Sequence, residues 1–136
     1  MAGSKADYLE DKILDHVLGG GDYTRPATVY IALFTVDPSD AGGGTEVSTG
    51  DWSDYARKAV TNNATNWPAA SGGSKSNGAD IDFGTATIVT PITVVAAAIL
   101  DVSGNFLYWL ELTADKQITN GDPVKFPAGN LVVTES

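Results

Sequence analysis

Thr28-Val29-Tyr30-Ile31-Ala32-Leu33-Phe34-Thr35 is the most informative run in this 136-residue chain. It is dense in β-branched and aromatic residues and has no polar interruption. A strand with one wet face would alternate apolar and polar residues, so the run reads as a strand buried on both faces. Upstream the pattern is helical. Leu9, Ile13 and Val17 recur every four residues, with Leu14 and Leu18 beside them, which makes one apolar helical face over Asp7 to Leu18. Asp7 is placed to cap this helix, with Glu10 at the third helical position, and Gly19-Gly20-Gly21 stops it.

Downstream of the central run, strands and turns alternate. Asp37 to Gly44 is a turn followed by a flexible loop. Tyr55 to Thr61 is a strand candidate, and Asn62 to Gly78 is a long polar loop around Trp67-Pro68. Asp80–Phe83, Ala86–Thr90, Ile92–Asp101 and Phe106–Thr113 read as strands, with Gly104 in the connection before the last of them. Asn120-Gly121-Asp122 joins Lys116–Thr119 to Pro123–Phe126, and Leu131 to Thr134 is a final strand. Ala96-Ala97-Ala98 is thin enough to let a neighbour pack closely. The regular spacing predicts a mainly β fold, a β-sandwich or barrel-like domain of about 7–9 short antiparallel strands with one N-terminal α-helix. The expected organisation is a helical arm over 1–24 and a β domain over 25–136, together forming one compact unit.

Composition mostly excludes. Asp plus Glu is 17 and Lys plus Arg is 8, a formal charge of −9. Such a chain is repelled by nucleic acid and by anionic membranes, so neither is an expected partner. The initial residues lack an apolar signal core, and the longest apolar run, Val94 to Leu100, is far below the roughly 20 residues needed to span a bilayer. A soluble protein made in a cytoplasm is expected. The chain has no cysteine and a single histidine, His16, which removes thiol chemistry and most histidine-based chemistry.

Other site motifs are missing too. There is no Gly-x-Ser-x-Gly elbow, and neither glycine triplet leads into Lys-Ser/Thr and a helix, so no phosphate cradle forms. Asp37, Asp40, Glu46, Asp51 and Asp54 cluster in sequence and could in principle meet a Ca²⁺ ion, but their spacing fits no EF-hand and a solvated acidic loop explains them. No enzyme activity, cofactor or metal is expected. The residues chosen as partner contacts are Leu9, Ile13 and Val17 on the helix, with Arg57, Lys58 and Trp67. Each has a plainer role: the helix stripe can pack on its own sheet, the two cations can blunt an edge strand, and Trp67 can cover its own core.

Several segments form an ordered series. They are Tyr8 to Leu18, Tyr23 to Thr35, Asp37 to Gly42, Thr45-Glu46-Val47 and Tyr55-Ala56-Arg57-Lys58-Ala59-Val60. Asn105 to Trp109, Leu112-Thr113, Ile118 to Asp122 and Ala128 to Leu131 continue it. The series resembles a family of small tailed-phage virion proteins, often labelled generically as tail fibre or structural proteins. The resemblance covers most of the chain and is weakest over Asn62 to Gly78. It implies a particle component with no catalytic motif.

Two roles follow from the resemblance. The first is a capsid decoration or cement protein, a homotrimer on the outer head surface that binds the major capsid protein or other virion proteins. The acidic charge would suit the face turned away from packed DNA. The second is a tail or fibre component, an adaptor or a tip that binds a host surface, with Trp52 and Trp67 as stacking faces for a glycan. The outer capsid surface is the location expected first, ahead of the tail.

Overall fold

The computed structural model describes residues 3–135; residues 1, 2 and 136, at the ends of the two segments expected from the sequence, lie outside it. Ten strands and one helix follow in order: β1 (Gly3–Lys5), α1 (Asp7–Val17), β2 (Thr28–Val36), β3 (Thr45–Glu46), β4 (Lys58–Thr61), β5 (Ser74–Ser76), β6 (Ile81–Thr85), β7 (Ile92–Leu100), β8 (Phe106–Ile118), β9 (Pro123–Phe126) and β10 (Val132–Thr134). The mainly β, antiparallel class expected from the sequence is what forms, and no barrel closes among the described residues. The main sheet runs β1-β8-β7-β2, and both β3 and β4 pair with the far side of β2. Two ribbons, β5–β10 and β6–β9, stand apart from it.

Strand β2 sits where the sequence put it and is buried on both faces. Val29, Ile31 and Leu33 face the ribbons, while Ala32 and Phe34 face the other way. On the ribbon side, Val29, Ile31, Ala97, Ile99 and Leu110 of the sheet pack with Leu9 of α1, Trp67, Ile81 and Leu131. Further along the same face, Leu33, Val94 and Ile118 pack with Trp52, Tyr55 and Ile88. Phe83 and Phe126 touch both groups and join them. On the opposite face, Ala32, Ala96, Ala98 and Leu100 pack with Phe34, Phe106 and Trp109. The alanines permit this: Ala98 is registered between Ala32 and Trp109, and Ala96 between Phe34 and Glu111. The loop after β2 closes this face. Gly42 lies against the Phe106 ring, and Asp40 Oδ1 accepts the Trp109 indole N–H at 2.8 Å.

Several local expectations change. Asp7 does not cap α1. The N-cap is Ala6, with no side-chain capping bond, and Asp7 is already in the first turn, where its charge favours the helix dipole. The glycine stop does form: Gly19 takes φ 95°, and Gly20 N–H donates to the Asp15 carbonyl at 2.9 Å, the bond that ends a Schellman-type turn. The segment before the helix adds β1 to the sheet by pairing with β8.

The expected strands Phe106–Thr113 and Lys116–Thr119 are one strand. Both halves pair with β7, but the register jumps from Val94↔Lys116 to Ala96↔Glu111, so extra residues bulge between them. Pro123–Phe126 does not fold back on Lys116–Thr119; it pairs with β6. Ala86–Thr90 forms no strand. Instead the Asn120-Gly121-Asp122 turn holds it, with Ala86 N–H donating to the Asp122 carbonyl at 2.8 Å and Ile88 N–H to Asn120 Oδ1 at 3.1 Å.

Candidate functional site

The ribbon-side core stops short of the helix end and leaves an open groove of about 360 Å³. Val29 of β2, Ile99 of β7 and Leu107 of β8 line it from the sheet, Leu9 and Ile13 from α1, Trp67 from the long loop and Val133 from β10. These elements meet here for a sequence reason. Leu9 and Ile13 dock α1 on β8, and the loop carrying Trp67 folds back beside β10 through β5. Arg25, Asn62, Ser74, Lys75 and Glu135 are the polar members of the lining, with the phenols of Tyr23 and Tyr108. A smaller hollow of about 240 Å³ is also lined by Arg25, Asn62, Trp67 and Lys75.

The charges around the groove are unevenly matched. Glu135 is engaged: Lys5 Nζ lies 2.8 Å from Glu135 Oε2, and Tyr108 Oη donates to Glu135 Oε1 at 3.0 Å. Burial pushes the Tyr108 phenol well above its ordinary pKa, and its bond to the Glu135 carboxylate pushes it further the same way. Tyr23, also in the lining, is raised by burial first and by Tyr8 second. Arg25 and Lys75 have no carboxylate partner among the described residues.

The groove brings together three of the six residues chosen from the sequence. Leu9 is buried, Ile13 is half-buried, and Trp67 is only 7% exposed, so it covers the core and lines the groove at once. Val17 is exposed at the end of α1. Arg57 is elsewhere, held by Glu46 through Nε at 3.1 Å and Nη2 at 2.8 Å. Tyr55 completes that cluster, donating to Glu46 Oε2 at 2.8 Å and accepting the Leu33 N–H at 2.9 Å. Burial raises the Tyr55 phenol far above its ordinary pKa, which keeps the proton where this bond needs it. Lys58 is exposed on β4.

Trp52 and Trp67 do not stand out as stacking faces for a sugar. Both are buried, Trp52 between Tyr55 and Ile88 in the core, so neither turns a free ring to solvent.

The acidic stretch does not converge either. Asp40 meets Trp109, Glu46 meets Arg57, Asp51 meets Ser48 and Asp54 meets Thr87. No group of three metal-ligating side chains forms among the described residues. His16 accepts the Tyr23 N–H at Nδ1 at 3.1 Å, a bond that ties the helix end to the following segment. The sequence reading missed Arg25 and Lys75. Their only signal was scarcity, since each is one of 8 basic residues in an acidic chain.

What the fold defines is an antiparallel β module with an apolar groove, suited to binding and assembly. Residues 4–134 match the family model described as Podophage GP4 fiber I protein gp80, and the chain belongs to that family. It is therefore a phage fibre protein, a structural and non-enzymatic component of the virion. That family assignment favours the fibre role over capsid decoration, which gains no support from it. No curated protein matches the chain.

Proposed function

We propose that this chain is a compact module of a tail fibre that works by non-covalent association with other virion proteins. The family match over nearly the whole chain carries the reading. The structure is compatible with it, because the groove is mostly apolar and the acidic stretch over 37–54 gathers into no shared site among the described residues. Assembly of this kind stabilises each folded subunit by mass action and needs no chemistry. Among the described residues the module has no elongated repeat or coiled coil: the single helix is 11 residues long and the longest strand 13. It therefore serves as an adaptor or a tip.

Labelling of intact particles, read by electron microscopy together with copy number per particle, tests this. Signal confined to the tail, in a small multiple of the tail symmetry, is the expected result. A uniform shell of label over the head, in hundreds of copies, would overturn it and return the decoration role.

A further inference from the structure

Helix α1 overhangs the body. Its first turns dock through Leu9 and Ile13, but beyond them Leu14 is 58% exposed, Val17 67% and Leu18 75%. Leu14 and Leu18 lie one turn apart on the helix, so they form a single apolar ridge. Asp11 and Asp15 run beside that ridge with the same spacing, and all are solvent-exposed. The same molecule carries a matching receptor. The groove is lined by apolar side chains of the sheet, and its two unpaired cations, Arg25 and Lys75, also line the smaller hollow. An apolar ridge with an acidic flank and an apolar groove with a basic flank are complementary in both properties that make interfaces specific.

We propose that the groove receives the overhanging end of α1 from a second copy of this chain, with Leu14 and Leu18 in the groove and Asp11 and Asp15 facing Arg25 and Lys75. Ridge and groove are different surfaces, so the contact is heterologous and each copy both gives and receives. One helix end in one groove buries less than the roughly 800 Å² per partner of a standard interface. Closure into a ring gives every copy two such contacts, and the homotrimer expected from the sequence is one such ring. Glu135, the carboxylate on the groove, is held by Lys5 and Tyr108 and leaves the two cations free for the incoming helix. The inference does not depend on where in the particle the chain resides.

The experiment is the solution mass of the purified chain across a concentration series, by sedimentation velocity. Two double variants are compared: Leu14→Ser with Leu18→Ser on the ridge, and Arg25→Glu with Lys75→Glu on the groove. All four positions lie outside the closed core, and far-UV circular dichroism checks that each variant keeps the fold. The native chain is expected to form an oligomer, and each variant to weaken it by about tenfold or more in Kd. Mixing the two variants is expected to give a dimer weaker than the native oligomer and seen at the top of the concentration series, since one intact ridge still meets one intact groove without ring closure. A native chain that stays monomeric at every concentration overturns the proposal. So does an oligomer indifferent to both variants, which would mean that another surface or another virion protein uses this region. A mixture that associates no more than either variant alone at the highest concentration overturns the head-to-tail arrangement.

Discussion

Asn77 is a buried polar side chain, and it ties its own segment to residues 126–131, some fifty positions away. Its Oδ1 accepts the Leu131 N–H at 2.9 Å, and its Nδ2 donates to the carbonyls of Ala79 at 2.8 Å and Pro127 at 3.0 Å. Leu131 is itself completely buried, so Asn77→Ala leaves a donor with no route to water. We expect a loss at or above the upper end of the ~1–3 kcal/mol that one orphaned buried group costs, read as a shift in the urea midpoint at unchanged slope. Asn77→Asp should be no milder, because an acceptor would then face three carbonyl oxygens, those of Ala79, Phe126 and Pro127. Tyr55→Phe tests the same logic on the other half of the core. It strands the buried Leu33 N–H and removes the donor to Glu46, and we expect a cost of about 1–3 kcal/mol by the same measurement. Gly44 is a backbone case. It takes φ 72°, and a Cβ there would sit 2.6 Å from the Val36 carbonyl oxygen. Gly44→Ala should therefore loosen the loop that closes over Trp109, visible as a rise in tryptophan solvent exposure.

At the scale of elements, the middle of β7 is the tightest constraint. Ala98 is completely buried and registered between Ala32 and Trp109. Ala98→Leu would force Trp109 off the sheet, and overpacking of this kind costs about 1–3 kcal/mol, measurable as a lowered melting temperature. The alanine run announced this close packing, just as the β-branched and aromatic content of Thr28 to Thr35 announced β2. Those strands were legible because buried strands must be apolar on both faces. The partner of β9 was not legible. Pro123–Phe126 lies one turn after β8 and reads as its hairpin partner, yet Asp122 Oδ2 accepts both the Thr119 N–H and its hydroxyl, and the turn serves to hold Ala86 and Ile88. The bulge in β8 was hidden for a similar reason, since exposed inserted residues resemble a turn. Of the site, the apolar helix stripe and Trp67 were readable from spacing and type. The pairing of Arg25 with Lys75 was not, because tertiary folding alone brings residues 25 and 75 to one groove.

For the whole molecule, charge sets the response to acid. Asp122 is held below the ordinary carboxyl pKa by the Thr119 backbone N–H and hydroxyl, and Asp80 by the Ala128 N–H and by Lys125. A depressed carboxyl stabilises the fold above its unfolded pKa, near ~3.9, and that contribution is lost as pH falls through the lower folded value. Thermal melts should therefore be flat from neutrality down to about pH 5 and fall below about pH 4. The Asp80→Asn, Asp122→Asn double variant should melt lower at neutral pH and show a shallower acid limb. An unchanged acid limb would place the sensitivity in other carboxylates.

The pairing of β1 with β8 also governs how the fold can be reached. Gly3 is registered with Leu110, and Ser74 with Thr134, so the two closures join residues 107 and 60 positions apart. The outer edge of the sheet closes late, because β8 must emerge before β1 finds its neighbour. Folding is governed by long loop closures, with a rate in the ~ms–s range of non-local β folds. Strand β2 gains β3, β4 and β7 as neighbours before β1 finds β8, so the pairing of β1 with β8 is the seam of the main sheet that closes last and the first that fraying would open.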